Sequence, residues 1–94
     1  MIVMKIIRFD LGKNEKLQKE RDVSFDVVIE KISKDDFLDI IVGKGKYRHQ
    51  KVYVMNIRNY VYIVPFVETK SEIFLKTIIP TRKLTKMYLG GHKK

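Results

Sequence analysis

Two strand-like runs, "KVYVMNI" at 51–57 and "YVYIVPFV" at 60–67, are separated by only Arg58 and Asn59. Two residues cannot hold a crossover, so the runs must fold back on each other as an antiparallel hairpin with a tight turn. A third β-branched run, "EIFLKTII" at 72–79, follows after the short connection "ETKSE". It extends the hairpin into an antiparallel meander. Pro65 interrupts the middle run and has no N–H for a ladder, which predicts a bulge there or an N position turned away from its neighbour.

A meander needs a cover for one face, and the first half of the chain supplies it. In "SFDVVIEKISK" Ser24 is placed to cap a helix with Asp26 in its first turn, and Phe25, Val28, Ile29 and Ile32 recur at i, i+3, i+4 and i+7. The preceding "LGKNEKLQKER" has helix formers and a Glu15–Lys19 pair at i, i+4, with Leu17 as almost its only apolar anchor, and predicts an exposed helix. "IVMKIIRF" at 2–9 and "FLDIIV" at 37–42 read as two more strands. After Pro80, Thr81 is a cap for a closing helix with Leu84, Met87 and Tyr88 at i, i+3 and i+4, ended by Gly90 and Gly91. The expected order is β-α-α-β-β-β-β-α, a single α+β domain over 1–94 with no internal repeat.

Charge narrows the function. The chain carries a formal +9 and has no cysteine, which removes disulfides and thiolate metal sites and suits a reducing cytoplasm. The N-terminal "MIVMKIIRFD" is too short and too charged for a membrane span or a secretory segment. Residues 1–42 hold eight basic and nine acidic side chains, whereas 43–94 hold twelve basic ones against Glu68 and Glu72 alone. The whole excess lies in the second half, as expected of a surface that meets nucleic acid or an acidic protein imitating it.

Within that half, "PTRKLTKMY" puts Arg82 and Lys83 at the start of a helix, where the backbone dipole disfavours cations. An anion such as a phosphate accounts for them: Arg82 would grip it with its guanidinium fork, with Lys83 and Lys86 extending the contact. The alternative is an ordinary charged surface. "GKGKYRHQ" lacks the glycine spacing of a P-loop and is either a polar connection or a group of phosphate-following cations, Lys44, Lys46, Arg48 and His49. His49 and His92 are far apart in sequence and offer no metal constellation.

Metal-free RNA cleavage remains within reach of such residues. The RNA's own 2′-hydroxyl is the nucleophile, and the protein adds a base, cations and an acid. His49 can exchange a proton near neutral pH, and Tyr88 is either a proton donor or a core tyrosine with a wet hydroxyl. Tyr53, Tyr60, Tyr62 and Phe66 either fill the core or stack bases.

"KNEKLQKERDVSFDVV" and the later "FLKTIIPTRKLTKMYLG" together resemble the BrnT family of bacterial toxins. The resemblance implies a RelE-like fold, with two N-terminal helices packed on a twisted antiparallel sheet and a C-terminal helix. It implies a metal-independent endoribonuclease that blocks translation, with no cofactor. It also implies a cognate antitoxin partner, often a ribbon-helix-helix DNA-binding protein. Arg82 matches the family's arginine at the start of the closing helix and Tyr88 its terminal aromatic, while Lys44, Lys46, Arg48 and His49 match in kind and rough location only.

Overall fold

The computed structural model describes residues 5–42, 45 and 50–90. Its elements, in chain order, are β1 (Ile6–Arg8), α1 (Leu11–Arg21), α2 (Phe25–Ser33), β2 (Asp39–Val42), β3 (Lys51–Ile57), β4 (Tyr60–Glu68), β5 (Glu72–Leu75), β6 (Ile79–Pro80) and α3 (Arg82–Thr85), which runs on into a π-helical turn, Lys86–Gly90. The fold is α+β.

The sheet is mixed rather than wholly antiparallel. Its order is β1-β5-β4-β3-β2, with β6 paired to β4, and β1 runs parallel to β5. The connectivity explains this departure. Two helices, α1 and α2, separate β1 from β2, which lie at opposite edges of the sheet. The meander from β2 to β5 reverses three times, which brings β5 between β4 and the edge strand β1, running the same way as β1.

The two-residue turn between β3 and β4 has positive φ at both Arg58 (53°) and Asn59 (66°), the geometry of a type I′ turn. Arginine is an unusual occupant. Here its guanidinium reaches Asp22, donating to Oδ2 at 2.9 Å and to the Asp22 carbonyl, and Asp22 is itself the left-handed cap of α1. The hairpin tip is thus fastened to the corner between the helices.

Pro65 produces the irregularity expected of it, and the partner strand carries the extra residue. Phe66 faces Leu75 and Ile63 faces Ile79, so three residues, 76–78, lie opposite two, 64–65. The Pro65 carbonyl accepts from Lys76 N at 2.8 Å, and the nitrogen of the same residue faces the same edge, where the bulge asks no donor of it. The run read as one strand over 72–79 is therefore split into β5 and β6. Within the bulged stretch the Ile78 carbonyl accepts from Arg21 Nη1 at 2.7 Å, tying α1 to the sheet.

One sheet face forms the core. Tyr53, Met55, Ile57, Val64, Phe66, Ile73, Leu75 and Ile78 pack there against Leu17, Val23, Phe25 and Val28 from the helical half. Ser24 caps α2 as expected, accepting from Val27 N, and Ile29 and Ile32 lie half-buried along the same stripe. In α1 only Leu17 and Asn14 are buried; Asn14 Oδ1 accepts from Phe25 N at 2.7 Å, so the buried amide joins the two helices. Tyr53 stacks on Phe66 at 4.4 Å and meets Phe37 edge-on at 5.1 Å. Burial pushes the Tyr53 hydroxyl's pKa up, with the charges of Glu68 and Asp35 adding to the effect. These two aromatics fill the core and are withdrawn from base stacking, whereas Tyr60 and Tyr62 are half-buried, 5.7 Å apart.

At the other end of β4, Glu68 binds both Lys5 and Lys51 and so joins β1, β3 and β4. The hydrogen bond from Lys5 is the largest cause of its lowered pKa; partial burial opposes it and Lys51 reinforces it. Because the folded-state value lies below the unfolded one, the stabilisation is complete above the usual glutamate value of about 4.3 and disappears as pH falls through the folded value. Glu68→Gln should melt below wild type at neutral pH, and the gap should close on acidification. A gap independent of pH in melting curves between neutrality and acid would refute this role.

Candidate nucleic-acid interface

The sheet face opposite the core carries Val52 and Val54 of β3 with Val61, Ile63 and Pro65 of β4, by the alternation of side chains along the paired strands. The closing segment seats on the Val61 end of it. Thr81 N donates to the Val61 carbonyl at 3.0 Å, and Val61 N donates to Thr85 Oγ1 at 2.8 Å. Thr85 Oγ1 in turn donates to the Thr81 carbonyl at 2.8 Å, and Thr81 caps the helix by accepting from Leu84 N at 3.0 Å. A single hydroxyl therefore satisfies both a strand amide and a helix carbonyl. Thr85→Val keeps the shape and orphans the buried Val61 N–H, which should cost about 1–3 kcal/mol. Denaturant titration measures the loss, and an unchanged midpoint would show that the hydroxyl does not hold the helix down.

The register of this helix differs from the expected one. Leu84, Met87 and Tyr88 were expected along an inward stripe, but Met87 is 65% and Tyr88 40% exposed, while Leu84, Thr85 and Leu89 are half-buried. The π-helical turn is the cause. Its i→i+5 spacing aligns Leu89, rather than Tyr88, with Leu84. Tyr88 is thus a surface tyrosine, and its hydroxyl donates to Asp39 Oδ2 at 3.5 Å.

Asp39 is a site residue that the sequence reading did not single out. Its Oδ1 accepts from Ile40 N at 2.8 Å, so one carboxylate both caps an amide of the edge strand β2 and meets the closing tyrosine. A lone aspartate before two isoleucines gives no signal of such a role in the sequence.

Arg82, Lys83 and Lys86 are all exposed on this helix, and none forms an ion pair among the described residues. The two carboxylates of the second half are engaged elsewhere: Glu68 by Lys5 and Lys51, Glu72 by Arg8 at 3.3 Å. Among the described residues, three cations without an ion-pair partner therefore stand on a helix fixed to the sheet. The four loop candidates Lys44, Lys46, Arg48 and His49 lie outside the described residues.

A cavity of about 300 Å³ lies elsewhere, between the α1–α2 corner and the hairpin tip, lined by Gln18, Asp22, Val23, Ser24, Val27, Ile57 and Arg58. It contains none of the candidate phosphate-binding or proton-transfer residues. Its two charged side chains are consumed by their mutual ion pair, so the cationic helix is the stronger candidate for polyanion contact. Among the described residues, no three His, Asp or Glu side chains gather as a metal site, and no helix is long and apolar enough to cross a membrane.

Comparison with protein-family models, with curated proteins and with solved structures found no match to this chain.

Proposed function

We propose that the protein is the toxin of a type II toxin-antitoxin pair, a cytoplasmic, metal-independent endoribonuclease with a RelE-like fold of the BrnT kind. The observation that carries this reading is the closing helix, where Arg82, Lys83 and Lys86 stand exposed with no ion-pair partner among the described residues. The motif resemblance in the helical half and in "PTRKLTKMY" supports it.

In the proposed reaction the 2′-hydroxyl of the RNA loses its proton to a base and its oxygen attacks the adjacent phosphorus. The bond from phosphorus to the 5′-oxygen breaks, that oxygen takes a proton from an acid, and the products are a 2′,3′-cyclic phosphate and a 5′-hydroxyl end. Arg82 holds the phosphate and stabilises the charge that builds on it, with Lys83 and Lys86 along the strand. Tyr88, exposed and hydrogen-bonded to Asp39, is the candidate acid on the helix. His49 is the candidate base, with Lys44, Lys46 and Arg48, its neighbours in sequence, as further phosphate contacts.

An acidic antitoxin segment laid over Arg82 and the basic loop would mask the surface by charge complementarity. The test is inducible expression in bacteria, alone and with any small reading frame that adjoins the gene. The reading expects growth arrest with translation stopped, relieved by the partner. Unimpaired growth at a verified level of soluble protein would sink it and leave a non-catalytic nucleic-acid-binding module.

A further inference from the structure

The outer sheet face has a second apolar and cationic area at the end away from the closing helix. Val67 of β4 faces Phe74 of β5, and Phe74 faces Arg8 of β1, so the three side chains lie abreast on one face. Val61 and Val67 are six residues apart on one strand, an even spacing, so this is the face that carries the closing helix. Ile6 is 62%, Val67 41% and Phe74 36% exposed. Lys76, two residues beyond Phe74, holds its Nζ 5.6 Å from the ring centroid.

We propose that Phe74 is a stacking platform for an unpaired base of single-stranded RNA, with Arg8 and Lys76 on the flanking phosphates. The inference rests on RNA being the ligand, and adds how the protein holds the strand away from the scissile bond. Three features favour RNA over a protein at this patch. The aromatic ring is exposed on an open sheet face, where a base separated from its neighbours can lie flat. Arg8 lies beside it, and the exposed Lys76 holds its ammonium over the ring, from which a base can displace it toward a phosphate. The Arg8–Glu72 pair is exposed at both ends, so exchanging the carboxylate for a phosphate costs little. Lysine is depleted from the cores of protein interfaces, whereas here Arg8 and Lys76 have only Glu72 between them among the described residues. Along β4 the platform lies roughly 20 Å from the closing helix, at about 3.3 Å per residue, within reach of one short strand.

The test uses the full chain and a fluorescein-labelled single strand of 2′-O-methyl RNA, which cannot be cleaved, beside an abasic strand of equal phosphate number. Phe74→Ala should weaken the ordinary strand roughly 5- to 150-fold, the range of a lost base–aromatic stack. It should leave the abasic strand within about twofold and the salt slope unchanged, and Phe74→Tyr should bind like wild type, because stacking is not an ionic term. In wild type, the Phe74 ring protons should move upfield on adding the ordinary strand only, a readout that decides the matter alone if the alanine variant does not fold. Equal affinity of Phe74→Ala for the ordinary strand, or equal loss on both strands, overturns the platform and leaves the Arg82 site standing. Loss of a co-purifying protein with RNA affinity intact overturns it in favour of a protein seat. Failure of wild type to bind either strand removes both proposals, while Phe74-dependent binding without any cleavage of natural RNA removes only the enzymatic one.

Discussion

Arg82→Ala is expected to abolish growth arrest while the melting temperature holds. Arg82 is exposed, makes no ion pair among the described residues, and occupies the first helical position after the Thr81 cap. A cation there is opposed by the helix dipole, by about 0.3–1 kcal/mol, so removing it leaves the fold unchanged or slightly firmer. The chemical loss is of another size. Removing one stabiliser of developing charge typically costs on the order of a hundredfold or more in rate. Lys83→Ala, at the next helical position and so turned about 100° away, is the control and should reduce activity less. Unfolding of Arg82→Ala would assign the arginine a structural role, and a folded variant of full toxicity would place the phosphate site elsewhere.

Phe25→Ala should be the most damaging single truncation for the fold. Phe25 is fully buried, starts α2 immediately after its cap, stacks on Phe9 with ring centroids 5.0 Å apart, and donates its backbone N–H to Asn14. It therefore links the lead from β1, both helices and the sheet. Phenylalanine truncation in a packed core costs about 3–5 kcal/mol, against a total stability of about 5–15 kcal/mol for a domain. The variant should be largely unfolded or melt far below wild type by circular dichroism. A small shift would mean that the helices are held mainly by the polar ties at Asn14, Arg21 and Arg58.

Much of the local structure was legible because local rules decided it. The two-residue turn at Arg58–Asn59, the caps Ser24 and Thr81, and the extents of α1 and β3 follow from turn length, capping chemistry and periodicity. What escaped depended on partners remote in sequence. The parallel pairing of β1 with β5 joins Ile6 to Glu72, residues remote in sequence, which no single segment reveals. Tyr88 was placed on an inward stripe by a 3.6-residue period, and the π-helical turn moved it to the surface beside Asp39. Asn14 looked like one more polar residue of an exposed helix until its amide was seen to hold the start of the next. At the candidate site, Arg82, Lys83 and Lys86 were legible as a cluster from spacing alone. That they form no ion pair among the described residues became visible only once Glu68 and Glu72 were found bound to Lys5, Lys51 and Arg8.

The central claim is cleavage of RNA through its own 2′-hydroxyl by a surface built on cations. The most direct measurement incubates the purified protein with a chelator and two strands of one sequence, all-ribose and all-2′-deoxy. The account predicts that the ribose strand is cut to fragments ending in a 2′,3′-cyclic phosphate and a 5′-hydroxyl, and that the deoxy strand stays intact. An intact ribose strand, cutting of both strands alike, or cutting that stops with the chelator would contradict it.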